Sequence, residues 1–263
     1  MKTLLTTFAA IALAALLVPA QTPEMSCERQ GNRNGNRPGF CEIRENTVVA
    51  TALTIDGNTN GGISIKGAER ADILVRAMVQ SQGETESEAR TTGAQVLVHT
   101  SGGAIQSDGP KSGNWSVSYE IFLPRHTNLT LKTNNGGVSI SGVDSTVEFH
   151  AVNGGVSLKD VGGSIRGETV NGGVSVSFAQ ARLTGQGLDV STTNGGVSIK
   201  VPEQFSALLE VSTVNGGMSV KLPNANVRKG ERQLSLPLGS GGPLMRIRTQ
   251  NGGVSVSNGN SRA

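Results

Sequence analysis

"VNGGVSL", residues 152–158, is the stretch that decides the fold, because it returns with small changes along most of the chain. The asparagine that opens each copy falls at Asn60, Asn135, Asn153, Asn171, Asn194, Asn215 and Asn251. Ser101, in "SGGAIQ", is taken as a weaker eighth copy, and from it onward the spacings are 34, 18, 18, 23, 21 and 36 residues. A period near 18 to 23 predicts one turn of a coil per unit, with one missing or altered corner in each long gap.

The two 18-residue units match position by position when they are overlaid. The matched apolar sets are Val138, Val156 and Val174; Ile140, Leu158 and Val176; Val143 and Val161; Val147 and Ile165; and Val152 and Val170. Among the polar positions, Glu148 falls on Arg166 and His150 falls on Glu168. Opposite charges on neighbouring parallel strands attract, so the match predicts stacked rungs of a β-solenoid.

The Asn-Gly-Gly motif suits a sharp corner that recurs once per rung. Asparagine tolerates left-handed backbone and glycine adopts positive φ at low cost, so the predicted role of the motif is backbone geometry rather than chemistry. Stacked asparagines can also hydrogen-bond along the coil. Asn-Gly between alternating runs is equally a hairpin signal, which leaves an antiparallel meander or sandwich as the competing geometry.

Composition supports an all-β chain. Apolar residues alternate with Ser, Thr or Lys, as in Val174-Ser-Val, which is the pattern of a strand with one buried face. The polar stretch 84–90, "ETESEAR", is compatible with a short helix or a loop. After each corner the serines Ser64, Ser139, Ser157, Ser175, Ser198, Ser219 and Ser255 are expected to point outward as one column.

The first 20 residues carry one early cation, Lys2, an apolar run and a small-residue ending, which predict a secretory signal peptide rather than a membrane span. The predicted organisation is signal peptide 1–20, disulfide-closed segment 21–46, repeat domain 47–256 and flexible tail 257–263. No later stretch is long and apolar enough to span a bilayer, and no cysteine follows closely enough for a lipid anchor. We expect an exported protein of the periplasm, cell surface or medium.

Cys27 and Cys41 flank the Gly/Asn-rich loop that carries Arg29, Arg33 and Arg37. In an oxidising compartment the two cysteines are expected to form a disulfide that closes this loop. Without Lys2 the chain has 22 basic and 20 acidic residues, a balance of +2 that gives no indication of a nucleic-acid partner.

Three longer segments carry a family resemblance: "LPRHTNLTLKTNNGGVSI" (123–140), "GLDVSTTNGGVSIKVPEQFSALLEVSTVNGGMSV" (187–220) and "MRIRTQNGGVSV" (245–256). With their recurrent T-x-N-G pattern, they resemble a bacterial family of β-strand-repeat proteins described as "putative adhesins", a domain of unknown function in envelope and exported proteins. The resemblance spans roughly residues 47–256 and implies a fold and an envelope location more than an activity. Family members often carry an acidic residue after the turn glycine, whereas each full copy here has Gly-Gly, which argues against a cation at the corners.

No catalytic arrangement of side chains is evident in the sequence. The acids of the repeat core are interpreted as stacked against cations or scattered near turns: Asp144, Glu148, Asp160, Glu168, Asp189, Glu203 and Glu210. A glycosidase would need a carboxylate pair converging on one face. His99, His126 and His150 lack metal-ligand spacing, and the serines lack a G-x-S-x-G elbow. We therefore expect no catalytic, metal or cofactor site.

Trp115 and Tyr119 share one face of "NWSVSYEIFLP" with Val117 and Ile121, which favours core packing over an exposed sugar-binding platform. The predicted protein is thus a non-enzymatic, exported β-solenoid, serving as an adhesin or structural surface element with a glycan or a protein as its unknown ligand. Two alternatives remain: a carbohydrate-active β-helix enzyme, and a surface- or crystal-binding protein, for which a serine column suits less well than threonine.

Overall fold

The computed structural model of the protein describes residues 25–27, 38–223, 225, 227–228 and 230–259. The predicted signal peptide, the arginine-bearing loop and residues 260–263 of the predicted tail lie outside the described residues. The predicted start of the repeat domain, between residues 46 and 47, falls inside a strand that spans Gly39–Val48.

The described chain is mostly β-strand, arranged as two ten-stranded sheets with one helix. Sheet 1 contains, in spatial order, β1 (Gly39–Val48), β4 (Ile73–Gln82), β7 (Asn114–Pro124), β3 (Ile63–Ala68), β9 (Val138–Ser141), β11 (Val156–Val161), β13 (Val174–Phe178), β15 (Val197–Val201), β20 (Val254–Asn258) and β17 (Met218–Lys221). Sheet 2 contains β18 (Gln233–Leu238), β16 (Ala207–Asn215), β19 (Leu244–Asn251), β14 (Leu188–Asn194), β12 (Ile165–Asn171), β10 (Val147–Asn153), β8 (Asn128–Asn135), β2 (Ala52–Asp56), β6 (Ala104–Asp108) and β5 (Leu97–His99).

Each Asn-Gly-Gly corner carries the chain from sheet 2 to sheet 1, so a rung is one strand of each sheet joined at a corner. β10 passes through Asn153 to β11, and neighbouring rungs pair in parallel on both sheets. The predicted register is confirmed, because Val138, Val156 and Val174 are paired, as are Val147 and Ile165. The antiparallel hairpin alternative is therefore wrong for these corners.

The core lies between the two sheets and follows from the alternation in the sequence. Val156 and Leu158 are each 2% exposed, while the serine between them is exposed. The same buried, exposed, buried pattern recurs in β9, β13 and β20. Each rung alone would expose its apolar face, so stacking is what removes these side chains from water.

The last rung does not stack in sequence order. β19 lies between β14 and β16, and β20 lies between β15 and β17, so the rung of residues 244–258 inserts between two earlier ones. The 36-residue gap before Asn251 holds β18, which returns antiparallel along β16. The prediction of a missing or altered corner in this gap is therefore wrong, since the extra length forms an edge strand.

The first rung is displaced in the same way. β2 lies between β8 and β6, and β3 lies between β9 and β7. Ser101 is not an eighth corner, because its Gly102 and Gly103 form the turn of an antiparallel hairpin between β5 and β6, with φ of 63° and 76°. Left-handed backbone at both turn positions is what a tight hairpin requires. The altered corner of this long gap is the segment 109–113, which joins β6 to β7.

Antiparallel strands cover three of the four outer positions of the sheets. β1 and β4 end sheet 1 beside β7, while β5 and β18 end sheet 2. The single described helix, α1 (Glu86–Gln95), starts at an N-cap threonine and contacts β4 and β1. Within the described residues no helix is long and apolar enough to cross a membrane.

Candidate functional site

The corner asparagines form a continuous hydrogen-bonded ladder. Each side-chain amide nitrogen donates to the amide oxygen of the next asparagine, at 2.8 Å from Asn153 to Asn135 and 2.8 Å from Asn171 to Asn153. The ladder follows spatial order, so Asn251 stands between Asn194 and Asn215. It ends at Asn60, which accepts from Asn135 at 3.1 Å. The motif thus links seven rungs through one column of amides.

The corner glycines are required by close approach, not by positive φ. The seven Asn-Gly-Gly corners run from 60–62 to 251–253, and none of their residues has a positive φ. The predicted left-handed corner is therefore wrong. A Cβ on Gly154 would lie 2.1 Å from the carbonyl oxygen of Gly136 in the next rung. On Gly155 it would lie 3.6 Å from the oxygen of Gly173, an ordinary contact. At this corner, therefore, only the first glycine of the pair is sterically obligatory.

A buried threonine column completes each corner and was not recognised in the sequence. The hydroxyl two residues before the corner asparagine donates to a glycine carbonyl of the neighbouring rung, at 3.1 Å from Thr169 to Gly154 and 2.8 Å from Thr192 to Gly172. The column contains Thr133, Thr169, Thr192, Thr249 and Thr213, and Ala151 interrupts it. The recurrent T-x-N-G pattern was the signal, since the threonine satisfies a carbonyl that the corner buries.

The outer face of sheet 1 presents the predicted serine column. Strand pairing places its members side by side in the order Ser64, Ser139, Ser157, Ser175, Ser198, Ser255 and Ser219. Neighbouring parallel strands are about 4.8 Å apart, so the column offers one outward hydroxyl at that interval.

Beside the serine column lies a second row in which lysine and serine alternate. This lysine–serine row contains, in spatial order, Lys66, Ser141, Lys159, Ser177, Lys200, Ser257 and Lys221. Lys159, Lys200 and Lys221 are exposed, and among the described residues none of them forms an ion pair with a carboxylate. This row was not predicted from the sequence, although "SIK", "SLK" and "SVK" follow the corners.

The other end of sheet 1 is charge-compensated. Glu120, buried on β7, accepts from Lys66 at 2.9 Å and from Arg76 at 2.8 Å, and Arg76 also pairs with Glu45 at 2.8 Å. Burial opposes ionisation, but hydrogen bonds from Lys66, the Met25 backbone and Arg76 outweigh it and hold the pKa of Glu120 below its ordinary value. The cationic part of the face therefore begins beyond Lys66.

The outer face of sheet 2 carries a charge ladder of alternating sign. Its members, in spatial order, are Glu210, Arg246, Asp189, Arg166 and Glu148. Arg246 contacts Glu210 at 3.0 Å and Arg248 contacts Asp189 at 2.8 Å, while His150 contacts Glu168 at 2.9 Å as the overlay predicted. Asp189 and Glu210 are thus strand residues paired with Arg246, whereas the sequence predicted acids scattered near turns.

A shallow groove of about 520 Å³ runs across this face and is lined by ionic side chains, among them Lys132, Arg166 and Glu168. Its carboxylates stand next to cations on neighbouring strands, so the face is largely neutralised by its own residues. The described residues contain no group of three or more His, Cys, Asp or Glu side chains that could hold a metal ion.

The aromatic pair on β7 lies against the core. Tyr119 is 1% exposed, and burial raises its pKa to about 12. Trp115 is half-buried, and its indole N–H donates to the Pro110 carbonyl at 3.0 Å. Core packing, as the alternation indicated, is confirmed.

In the structure Cys27 and Cys41 are bonded, with their Cα atoms 5.7 Å apart. Cys41 lies on β1, beside Gln80 of β4. The bond therefore joins the described segment 25–27 to the edge of sheet 1. In the same segment the Met25 backbone hydrogen-bonds to Glu120.

Two stacked, largely parallel sheets with in-register corners define an all-β repeat protein. The chain belongs to the Toastrack DUF4097 family, whose sequence profile matches residues 52–257. This confirms the family resemblance seen in the repeated segments.

Among solved structures, the chain is similar to one described as a "putative cell adhesion protein" from Clostridium sporogenes, with 14% identity and a TM-score of 0.43 over 84% of this chain and 100% of that one. It is also similar to a "putative adhesin" from Bacteroides fragilis, with 13% identity and a TM-score of 0.37 over 83% and 97%. A "putative lipid binding protein" from Parabacteroides distasonis gives 12% identity and a TM-score of 0.37 over 85% and 97%. No curated protein matches the chain.

Proposed function

We propose that this chain is an exported, non-enzymatic β-solenoid that binds a surface ligand along one stacked face, as an adhesin or structural element of the bacterial cell envelope does. The solenoid description is supported by the parallel register on both sheets and by the asparagine ladder that links the rungs. Repeat proteins of this kind use extended faces rather than enclosed pockets for binding.

Export is supported by two independent features. Residues 1–20 have the charge and apolar pattern of a signal peptide. The bond between Cys27 and Cys41 belongs to an oxidising compartment, because cytosolic thiols are kept reduced. Our proposed organisation keeps the segments 1–20, 21–46, 47–256 and 257–263, with the 46/47 boundary inside β1 and the 256/257 boundary inside β20.

The contrast between the two outer faces carries the binding proposal. On sheet 2 each carboxylate of the charge ladder stands beside a cation, so the charges on this face compensate one another. On sheet 1 the exposed lysines Lys159, Lys200 and Lys221 have no such partner among the described residues. Fixed, uncompensated charge beside a column of hydroxyls favours a polar or anionic ligand. Sheet 1 is therefore the proposed binding face.

The non-enzymatic part of the proposal is supported by the setting of the acids. A glycosidase holds two carboxyl groups about 5 to 10 Å apart across the bond that it cleaves, one of them protonated. Here Glu148, Asp189 and Glu210 lie on an open face, beside the arginines of the charge ladder. In this arrangement each acid is paired with an arginine of a neighbouring strand, not with a second carboxyl group.

The test is an array of glycans and matrix proteins probed with the exported protein and two matched variants. Ser175→Glu places a carboxylate at the centre of the serine column, and Ser191→Glu makes the same change on the outer face of sheet 2. We expect the first variant to lose the ligands of the parent protein and the second to keep them. Loss only in Ser191→Glu, no bound ligand at all, or turnover of an arrayed polysaccharide would overturn the proposal.

A further inference from the structure

The alternation of the lysine–serine row sets a regular charge spacing. Lys159 and Lys200 are separated by one strand, β13, and Lys200 and Lys221 are separated by one strand, β20. With about 4.8 Å between strands, successive lysines stand about 9.6 Å apart along the stacking direction. Like charges directly opposite each other would repel, so the intervening serines keep the row stable.

The three lysines are available to an outside partner. The acids nearest to Lys159, Lys200 and Lys221 in sequence are Asp160, Glu203 and Glu231. None of them forms an ion pair with these lysines within the described structure. Lys66, the fourth lysine of the row, is held by Glu120. The available stretch therefore runs from β11 to β17.

We propose that this stretch binds an extended acidic polysaccharide with a carboxylate on alternate sugars. A sugar chain lying along the stacking direction would meet one serine hydroxyl per strand and one ammonium group per two strands. Ammonium groups pair with carboxylates, and the serine hydroxyls both donate and accept hydrogen bonds with sugar hydroxyls. The inference rests on the proposed function and specifies the ligand of the same face.

Two other polyanions fit this face less well. A membrane surface is favoured by exposed apolar side chains that enter the lipid. The exposed large hydrophobic residues in the described chain are Val49, Leu97, Leu208 and Val214, and none lies on the outer face of sheet 1. Single-stranded nucleic acid is held by stacking on aromatic side chains, and the two rows contain only serine and lysine.

The experiment measures binding of the exported protein to immobilised hyaluronan, in which carboxylates alternate with neutral sugars. Polygalacturonate, with a carboxylate on every sugar, and neutral dextran are the comparison glycans, and anionic phospholipid vesicles and single-stranded DNA are the alternative polyanions. A variant with Lys159→Ser, Lys200→Ser and Lys221→Ser tests the row. The matched control removes three cations from sheet 2 through Lys132→Ser, Arg166→Ser and Arg248→Ser, and circular dichroism checks that both fold.

We expect the sheet 1 variant to bind hyaluronan about tenfold more weakly or worse, since three exposed charge contacts are lost. Binding by the parent protein should weaken with salt, dextran should not bind, and changing the three lysines to arginine should preserve affinity. Equal weakening in the sheet 2 control, or tighter binding to polygalacturonate, vesicles or DNA, would overturn this inference.

The two proposals fail in different ways. If the protein binds arrayed ligands through the outer face of sheet 1 but does not bind hyaluronan, the proposed function stands and the inference of an acidic polysaccharide is wrong. If Ser175→Glu changes nothing on the array, the binding face itself is wrong and the ligand inference fails with it.

Discussion

The corner geometry predicts opposite outcomes for two neighbouring glycines. Gly154→Ala would place a Cβ 2.1 Å from the oxygen and 2.6 Å from the carbon of the Gly136 carbonyl. Both obstacles are backbone, so no side chain can rotate away. Gly155→Ala would place the same methyl group 3.6 Å from the Gly173 oxygen. The two substitutions add the same atoms, one residue apart.

The expected cost of Gly154→Ala follows from the contacts that must open. Relief of the clash separates two rungs at a point where the Gly136 amide donates to the Asn153 carbonyl at 3.2 Å and the Val138 amide donates to the Gly155 carbonyl at 3.0 Å. Overpacking typically costs about 1–3 kcal/mol, and each hydrogen bond lost adds about 1 kcal/mol. We therefore expect a loss of about 3 kcal/mol. Gly155→Ala should leave stability unchanged or raise it by about 0.4–1 kcal/mol, because alanine restricts the unfolded chain.

Urea unfolding followed by far-ultraviolet circular dichroism measures both variants, with the disulfide intact. A shifted midpoint at constant slope would report stability alone. The alternative, that both glycines serve torsional freedom, predicts similar losses at residues 154 and 155. Equal destabilisation, or a harmless Gly154→Ala, would refute the close-approach argument.

Three further outcomes are expected. Glu120→Gln should cost about 1–3 kcal/mol at neutral pH, because Lys66 and Arg76 lose a buried partner. The pKa of Glu120 is lowered in the folded protein, so its contribution to stability is complete above the unfolded value, about 4.3, and is lost as pH falls through the folded value. Denaturation at pH 7 and pH 3 should therefore show a smaller stability difference between the parent protein and Glu120→Gln in acid. A difference that stays constant would contradict this. Excision of Gly154–Asn171, one rung, should leave a folded β protein by circular dichroism, whereas excision of nine residues should unfold it; equal unfolding would contradict stacked rungs. Asn215 ends the asparagine ladder, so peptide mass spectrometry after mild alkaline incubation should find deamidation there before Asn153, and the reverse order would contradict protection by the ladder.

Local alternation and the 18-residue overlay predicted much of the fold. They anticipated the buried Val156 and Leu158, the outward serines and the pairing of His150 with Glu168. The physical reason is that inward and outward positions are fixed by the two-residue period of a strand. Identical spacing in successive units then fixes the register between them.

The role of the corner glycines was predicted for the wrong reason. Asn-Gly-Gly is compatible with positive φ, and the sequence contains no measure of how closely two rungs approach. After Ser101 a similar Gly-Gly pair does form a left-handed hairpin turn. The two outcomes differ because the strands that follow Ser101 and Asn153 join different sheets, which a local motif does not specify.

What the sequence by itself determined is the composition of a rung: which side chains face inward, which face outward, and where the corner falls. The order of the rungs was decided only by the tertiary structure. Along the chain, Lys200 is followed in its row by Lys221, and Asp189 in its ladder by Glu210, which would place like charges side by side. Insertion of the last rung brings Ser257 between the lysines and Arg246 between the acids. Rungs with the same pattern can stack in several orders, and contacts between distant residues, here charge alternation on both faces, favour the observed order.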